Sequence, residues 1–240
     1  MIKKIVPLFL LSLLISTSTA ADEQDRQADT EAEIFSSDEA EESIDVSELP
    51  SSAYLDVPEI LQNPELPTGC ESVSLTIALV YKGYELEKTT IAEDYLVKST
   101  TDDFVKGFVG DPFSSEGMGI FPPGLLYTAR KYFRIQSSDE IASDISGSDF
   151  TDLLAYVAAG EPVITWSTMY LCEPDFSDYS ITYMNEVYTW YYQEHCVVLC
   201  GYDLEKGTVT VSDPLEGIVE RDLQTFSDIY EKTGKYAIII

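Results

Sequence analysis

Four side chains in this sequence have the types needed to make and use a reactive thiolate. Cys70 stands in "LPTGCESVSLTIAL", behind a Pro-Thr-Gly turn and at the mouth of a helical pattern. His195, the one histidine among 240 residues, opens "HCVVLCGYD", and Asp213 closes "TVTVSD". A free cysteine with a pKa of about 8.5 is only about 3 per cent thiolate at neutral pH. A neighbouring imidazolium and a helix N-terminus both favour the anion. A carboxylate behind the imidazole fixes its tautomer and orientation. The chemistry implied is attack by sulfur on an acyl carbon. The oxyanion then formed needs donors, and the Cys70 N–H at a helix start supplies one. Gln62, eight residues upstream of Cys70, supplies a second amide in the same reading. It reads equally well as a surface-loop glutamine with no role.

Cysteine has other fates. The remaining thiols are Cys172, Cys196 and Cys200. Cys196 and Cys200 share one face of a strand pattern but lie roughly 13 Å apart at about 3.3 Å per residue, too far to bridge. Cys172 can reach one of them across a sheet, which leaves Cys70 with no obvious partner. A metal site is weaker: there is no Cys-x-x-Cys, and one histidine cannot complete a structural zinc set. The carboxylates of "EPDFSD" lack the regular spacing of a calcium loop. No cofactor and no metal are expected.

These residues must be held by elements. Helical spacing marks 71–83, closed by Gly83, and further helices are expected over 89–98, 122–133 and 148–160. The prolines at 122 and 123 suit a helix start. Strands follow at 162–169, 186–192, 195–203, 208–213 and 235–240, with 195–213 as a hairpin. In a hairpin the start of one strand lies beside the end of the next, so His195 and Asp213 are placed together. Helices followed by a mostly antiparallel sheet give an α+β layout. Residues 102–119 and 170–185 read as long loops, whose aromatics either line a cleft or cover a sheet edge.

The ends differ in kind. Lys3 and Lys4 precede an apolar run and small residues around Ala20, the pattern of a secretory signal over 1–20. That run is shorter than the roughly 20 residues that a membrane span needs. Residues 21–52 carry twelve acidic side chains and one arginine, the composition of a disordered acidic linker. A spacer or an inhibitory pro-segment fits it. Residues 53–240 form one domain, long enough for a real core. With 31 acidic against 11 basic side chains, it lacks the basic footprint of a nucleic-acid or anionic-membrane binder. The expected product is a secreted, extracellular or surface-associated monomer without stable membrane insertion.

"LDVPEILQNPELPTGCESVSLTIAL" and "EHCVVLCGYDLEKGTVTVSDPLEG" together resemble the bacterial bacteriocin-processing, double-glycine-leader cysteine peptidases, in an exported stand-alone form. The resemblance runs from about Leu55 to Ile240. It implies a papain-like domain with the cysteine on an N-terminal helical part, and His and Asp on a C-terminal antiparallel sheet. It implies Cys70 as nucleophile, His195 as general base and acid, Asp213 as orienting residue and Gln62 as oxyanion donor. Family members often carry a small or aliphatic residue after the histidine, where this chain has Cys196. The expected function is hydrolysis of peptide or isopeptide bonds in a peptide or protein substrate, through a thioester. The alternatives are a thiol acyltransferase or amidase using the same triad, and a non-catalytic binding module on the same scaffold.

Overall fold

The structure is a computed structural model and describes residues 49–240. The signal read over 1–20 and nearly all of the linker read over 21–52 lie outside the described residues. Strand β1 (Ser52–Tyr54) begins one residue inside the segment read as linker. Its approach is fixed by Leu204 N–H donating to Ser51 O at 2.8 Å and by the Tyr202 hydroxyl donating to Pro50 O at 3.1 Å.

A seven-stranded antiparallel sheet organises the domain. Its strands are β1, β2 (Ser143–Asp144), β3 (Val163–Thr168), β6 (Glu194–Asp203), β7 (Thr208–Asp213), β8 (Gly217–Asp222) and β9 (Ala237–Ile239), in the order β2-β9-β3-β6-β7-β8 with β1 also on β6. Strand β6 is central and buried along nearly its whole length. Successive strand residues point to opposite faces, and β6 uses both. Cys196, Val198 and Cys200 join one apolar core with helices α1 (Cys70–Tyr81) and α2 (Pro122–Gln136). Val197 and Leu199 join the other with α3 (Phe150–Ala158) and α4 (Leu223–Thr233). A sheet covered on both faces explains why "HCVVLCGY" reads as a continuous apolar run rather than an alternating one.

Helix α1 is buried on nearly every side, its serines and threonine included. Burial of Ser74 and Thr76 is tolerable because both are bonded: Ser74 Oγ donates to Cys196 O at 3.0 Å and Thr76 Oγ1 to Ser72 O at 2.8 Å. The first of these bonds ties the helix carrying Cys70 to the strand carrying His195. Helix α3 starts at a reciprocal capping box between Asp149 and Asp152.

Two expectations need correction. The helix expected over 89–98 shrinks to one wide turn, Ile91–Tyr95. The chain leaves it because tertiary partners take its backbone: Val97 N–H donates to Thr128 Oγ1 at 3.2 Å, and Phe108 N–H to Val97 O at 2.8 Å. The long loop expected over 170–185 instead contains strand β4 (Asp175–Tyr183), paired with β5 (Glu186–Tyr192). Its turn, Met184-Asn185, has φ of 48° and 70°, the left-handed pair that a tight hairpin needs. Without a glycine there, the turn gives little signal. Strand β8 and helix α4 were not anticipated. Asp222 caps α4 through Thr225 N–H at 2.8 Å, and Gly234, at φ 111°, ends it.

Candidate active site

Strand pairing brings two of the four candidate residues into contact. His195 Nε2 donates to Asp213 Oδ1 at 2.7 Å, both residues being buried. An ionised carboxylate only accepts, so Nε2 carries the proton, and Nδ1 of a neutral ring holds the free lone pair. Nδ1 is buried with no hydrogen-bond partner. Asp213 is held from several sides. Leu215 N–H donates to Oδ1 at 2.8 Å, and Arg221 Nη2 lies 3.5 Å from Oδ2. Burial acts to raise the Asp213 carboxyl, but the His195 bond and charge, the Leu215 N–H and Arg221 outweigh it and hold it below its ordinary value. Arg221, itself paired with Glu216, was missed in the sequence because β8 was not recognised.

The loop bearing Gln62 is anchored to the same end of the sheet. Gln62 N–H donates to Pro214 O at 2.8 Å, next to Asp213, and Ser212 Oγ donates to Pro58 O at 3.1 Å. The Gln62 side chain is buried, which removes the reading of a free surface glutamine. Its Nε2 donates to Pro67 O at 2.9 Å, and its Oε1 has no partner. One Nε2 hydrogen therefore remains for a further acceptor.

Cys70 opens α1 directly after Gly69, and its side chain is buried. Its thiol does not meet His195. Sγ–H donates to Glu71 Oε2 at 3.4 Å. Burial pushes this thiol well up, and Glu71, Glu194 and Cys196 add to the shift. The expectation of an imidazolium-lowered thiol is therefore corrected for this arrangement: the neighbours of Sγ are acids, not the imidazole. Glu71 and Glu194 were each quoted in the sequence motifs, yet neither was assigned a role. Their positions beside Cys70 and His195 were the available signal.

Cys70, Gln62 and Glu194 line a cleft of about 550 Å³ together with Thr68, Met118, Met169, Tyr179, Trp190, Tyr192 and Gln193. The β4–β5 hairpin supplies its aromatic wall. Trp190 stacks on Phe121 at 5.7 Å and meets Phe104 edge-on at 5.5 Å, which fixes the wall to the core. Of the aromatics in the segment read as a loop over 170–185, Tyr179 lines the cleft, as one of the two readings expected. All four cysteines are free, with Cys172 Sγ 2.8 Å from Gln193 Oε1. Among the described residues no helix is long and apolar enough to cross a membrane.

A crystal structure of a C39-like peptidase from Bacillus anthracis superposes with a TM-score of 0.66 at 30% identity, covering 78% of this chain and 96% of that one. The uncharacterized protein YvpB of Bacillus subtilis strain 168 is 28% identical over 194 residues, 74% of this chain and 70% of its own length. A double glycine motif protease from an AMS/PCAT transporter, solved with its leader peptide, gives 17% identity and a TM-score of 0.46 over 78% of this chain and 92% of that one. The fold is an α+β, papain-like cysteine peptidase fold. The model of the Peptidase C39 like family matches residues 54–238, and the chain belongs to that family.

Proposed function

We propose that this chain is an exported cysteine peptidase that hydrolyses peptide or isopeptide bonds through Cys70, His195 and Asp213. The observation that carries the reading is the buried His195–Asp213 bond of 2.7 Å with Nδ1 left free, at the sheet end from which the Cys70 cleft opens. In the catalytic cycle the Cys70 side chain turns from Glu71 toward Nδ1, which takes the thiol proton. Sulfur attacks the carbonyl carbon, and the oxyanion is met by the Cys70 N–H and the remaining Gln62 amide hydrogen. Collapse breaks the C–N bond, with His195 giving its proton to the leaving amine. Water, deprotonated by His195, then cleaves the thioester to release the acid and restore the thiol. Export rests on the signal pattern of residues 1–20.

A second reading, a binding module on the same scaffold, is favoured by one observation: the thiol is bonded to Glu71 rather than to the imidazole. One experiment separates the two. A mixed peptide library is incubated with the full chain, Cys70→Ala and His195→Ala, and new termini are identified by mass spectrometry. Cleavage should vanish in Cys70→Ala and fall about a thousandfold in His195→Ala. Equal product patterns from all three proteins would reject the peptidase.

A further inference from the structure

The residues flanking the proposed catalytic pair form a second constellation. Glu71 follows Cys70 on α1, and Glu194 precedes His195 on β6. Both are buried, at 0% and 5% exposure. One polar side-chain atom from each of Cys70, Glu71 and Glu194 lies within 4.8 Å of the others. Glu71 Oε1 accepts from Ile120 N–H at 2.7 Å, while its Oε2 takes the Cys70 thiol. Glu194 Oε1 is buried with no partner. The chain closes around the two carboxyls at Gly119, where an added Cβ would lie 2.5 Å from Glu71 Oε1 and 3.0 Å from Glu194 Oε2.

We propose that Glu71 and Glu194 share one proton and act as positioning residues for Cys70, their combined charge setting how readily the thiol ionises. The inference rests on the reading of Cys70 as nucleophile. Two carboxyls with oxygens within 4.8 Å in a buried site cannot both ionise cheaply, and a single proton kept by the pair relieves that repulsion. Burial pushes Glu71 up to about 7 and Glu194 well above the carboxylate range, with Glu71 the second cause for the latter. The titratable groups facing the pair are the Cys70 thiol from α1, the Cys196 thiol from β6 and the Tyr191 hydroxyl from β5. Burial raises all three, so each stays neutral where the pair titrates and none supplies a positive charge. The Tyr191 hydroxyl is engaged elsewhere, donating to Ser167 O at 3.1 Å. While the proton is held, the pair anchors the start of α1 to β6 and carries at most one negative charge. When that proton leaves to water, two charges face Sγ and oppose the thiolate.

Iodoacetamide labelling of Cys70, followed by peptide mapping of the full chain from about pH 6 to about pH 9, tests this. The ratio of the Glu194→Gln rate to the wild-type rate should climb about tenfold across that range, one unit of thiol pKa. The amide introduced by this substitution stands in for the shared proton and cannot lose it. A flat ratio would overturn the proposal. His195→Ala, run alongside, reports separately on the nucleophile: unchanged labelling there defeats the catalytic reading while leaving the Glu194→Gln ratio informative. If Glu194→Gln does not fold, infrared spectroscopy of the wild-type protein replaces it. A protonated-carboxyl band present near neutral pH and lost on the alkaline side supports the pair, and its absence overturns it. One equivalent of tightly held divalent metal in the purified protein would also overturn it, because a cation would then bind the carboxylates together.

Discussion

Glu194 and His195 are adjacent on β6 and have opposite electrostatic surroundings. On the His195 side, an acid faces an imidazole, a backbone N–H and Arg221, so Asp213 is held below its ordinary range. On the Glu194 side, burial meets no counter-charge, so both carboxyls are raised, Glu194 further by the neighbouring Glu71. The backbone alternation that separates the two faces is the same for both. What differs is the partner each side chain meets: Asp213 at the end of the neighbouring strand β7, with Arg221 of β8 behind it, or Glu71 at the helix mouth. Burial alone therefore does not decide the state of a group here; the available counter-charge does.

The signs of the pH dependence follow from that contrast. Asp213 has a depressed folded pKa, so its contribution to stability is present above the unfolded value of about 3.9 and is lost as pH falls through the folded one. The glutamate pair has raised folded pKa values. Its contribution is full below the unfolded value of about 4.3 and is lost as pH rises through the folded values, about 7 for Glu71. The two faces of one strand thus bound stability from the acid and the alkaline side respectively.

The largest expected break in this comparison is Asp213→Ala. It removes the acceptor of His195 Nε2–H and leaves that donor buried, and kcat/KM should fall about a hundredfold. Asp213→Asn, whose amide oxygen can still accept, should lose less. Equal losses in the two variants would show that charge, and not ring orientation, is the contribution of Asp213. Next in size is Gly119→Ala, which presses on the glutamate pair and, at 3.1 Å, on Trp190 of the cleft wall. The added methyl meets the carboxyl oxygens head-on at a backbone φ of 157°, a misfit costing about 2 kcal/mol. Thermal unfolding at about pH 6 should register it; an unshifted midpoint would mean that the cradle around the pair is loose.

The two faces also differ in how legible they were. His195 and Asp213 were readable because a hairpin fixes which residues lie opposite, and a single histidine leaves few choices. Cys70 at the helix mouth was readable from the Pro-Thr-Gly turn and the helical spacing after it. The glutamate pair was not, since it joins residues 123 positions apart through packing that no local pattern records. Arg221 was hidden for a different reason. "GIVERD" is short and only partly buried, so its strand character depends on pairing with β7 rather than on its own sequence. The β4 strand was hidden by a turn without glycine, and with it the aromatic wall of the cleft. Folding at these places is decided by tertiary partners, and propensity yields to them.

Arg221→Gln gives the smallest effect and the finest probe of the His195 face. Its guanidinium stands 3.5 Å from Asp213 Oδ2 and is partly exposed, so the direct interaction is weak. The neutral side chain removes one of the influences that hold the Asp213 carboxyl down while leaving the His195 bond and the Leu215 N–H in place. Activity near neutral pH should therefore change less than about threefold. The acid limb of the pH–rate profile should move to higher pH, because Asp213 then takes up its proton sooner. A profile superimposable on wild type would show that the short hydrogen bonds alone set the state of Asp213. The asymmetry between the two faces would then come from His195 and not from the arginine behind it.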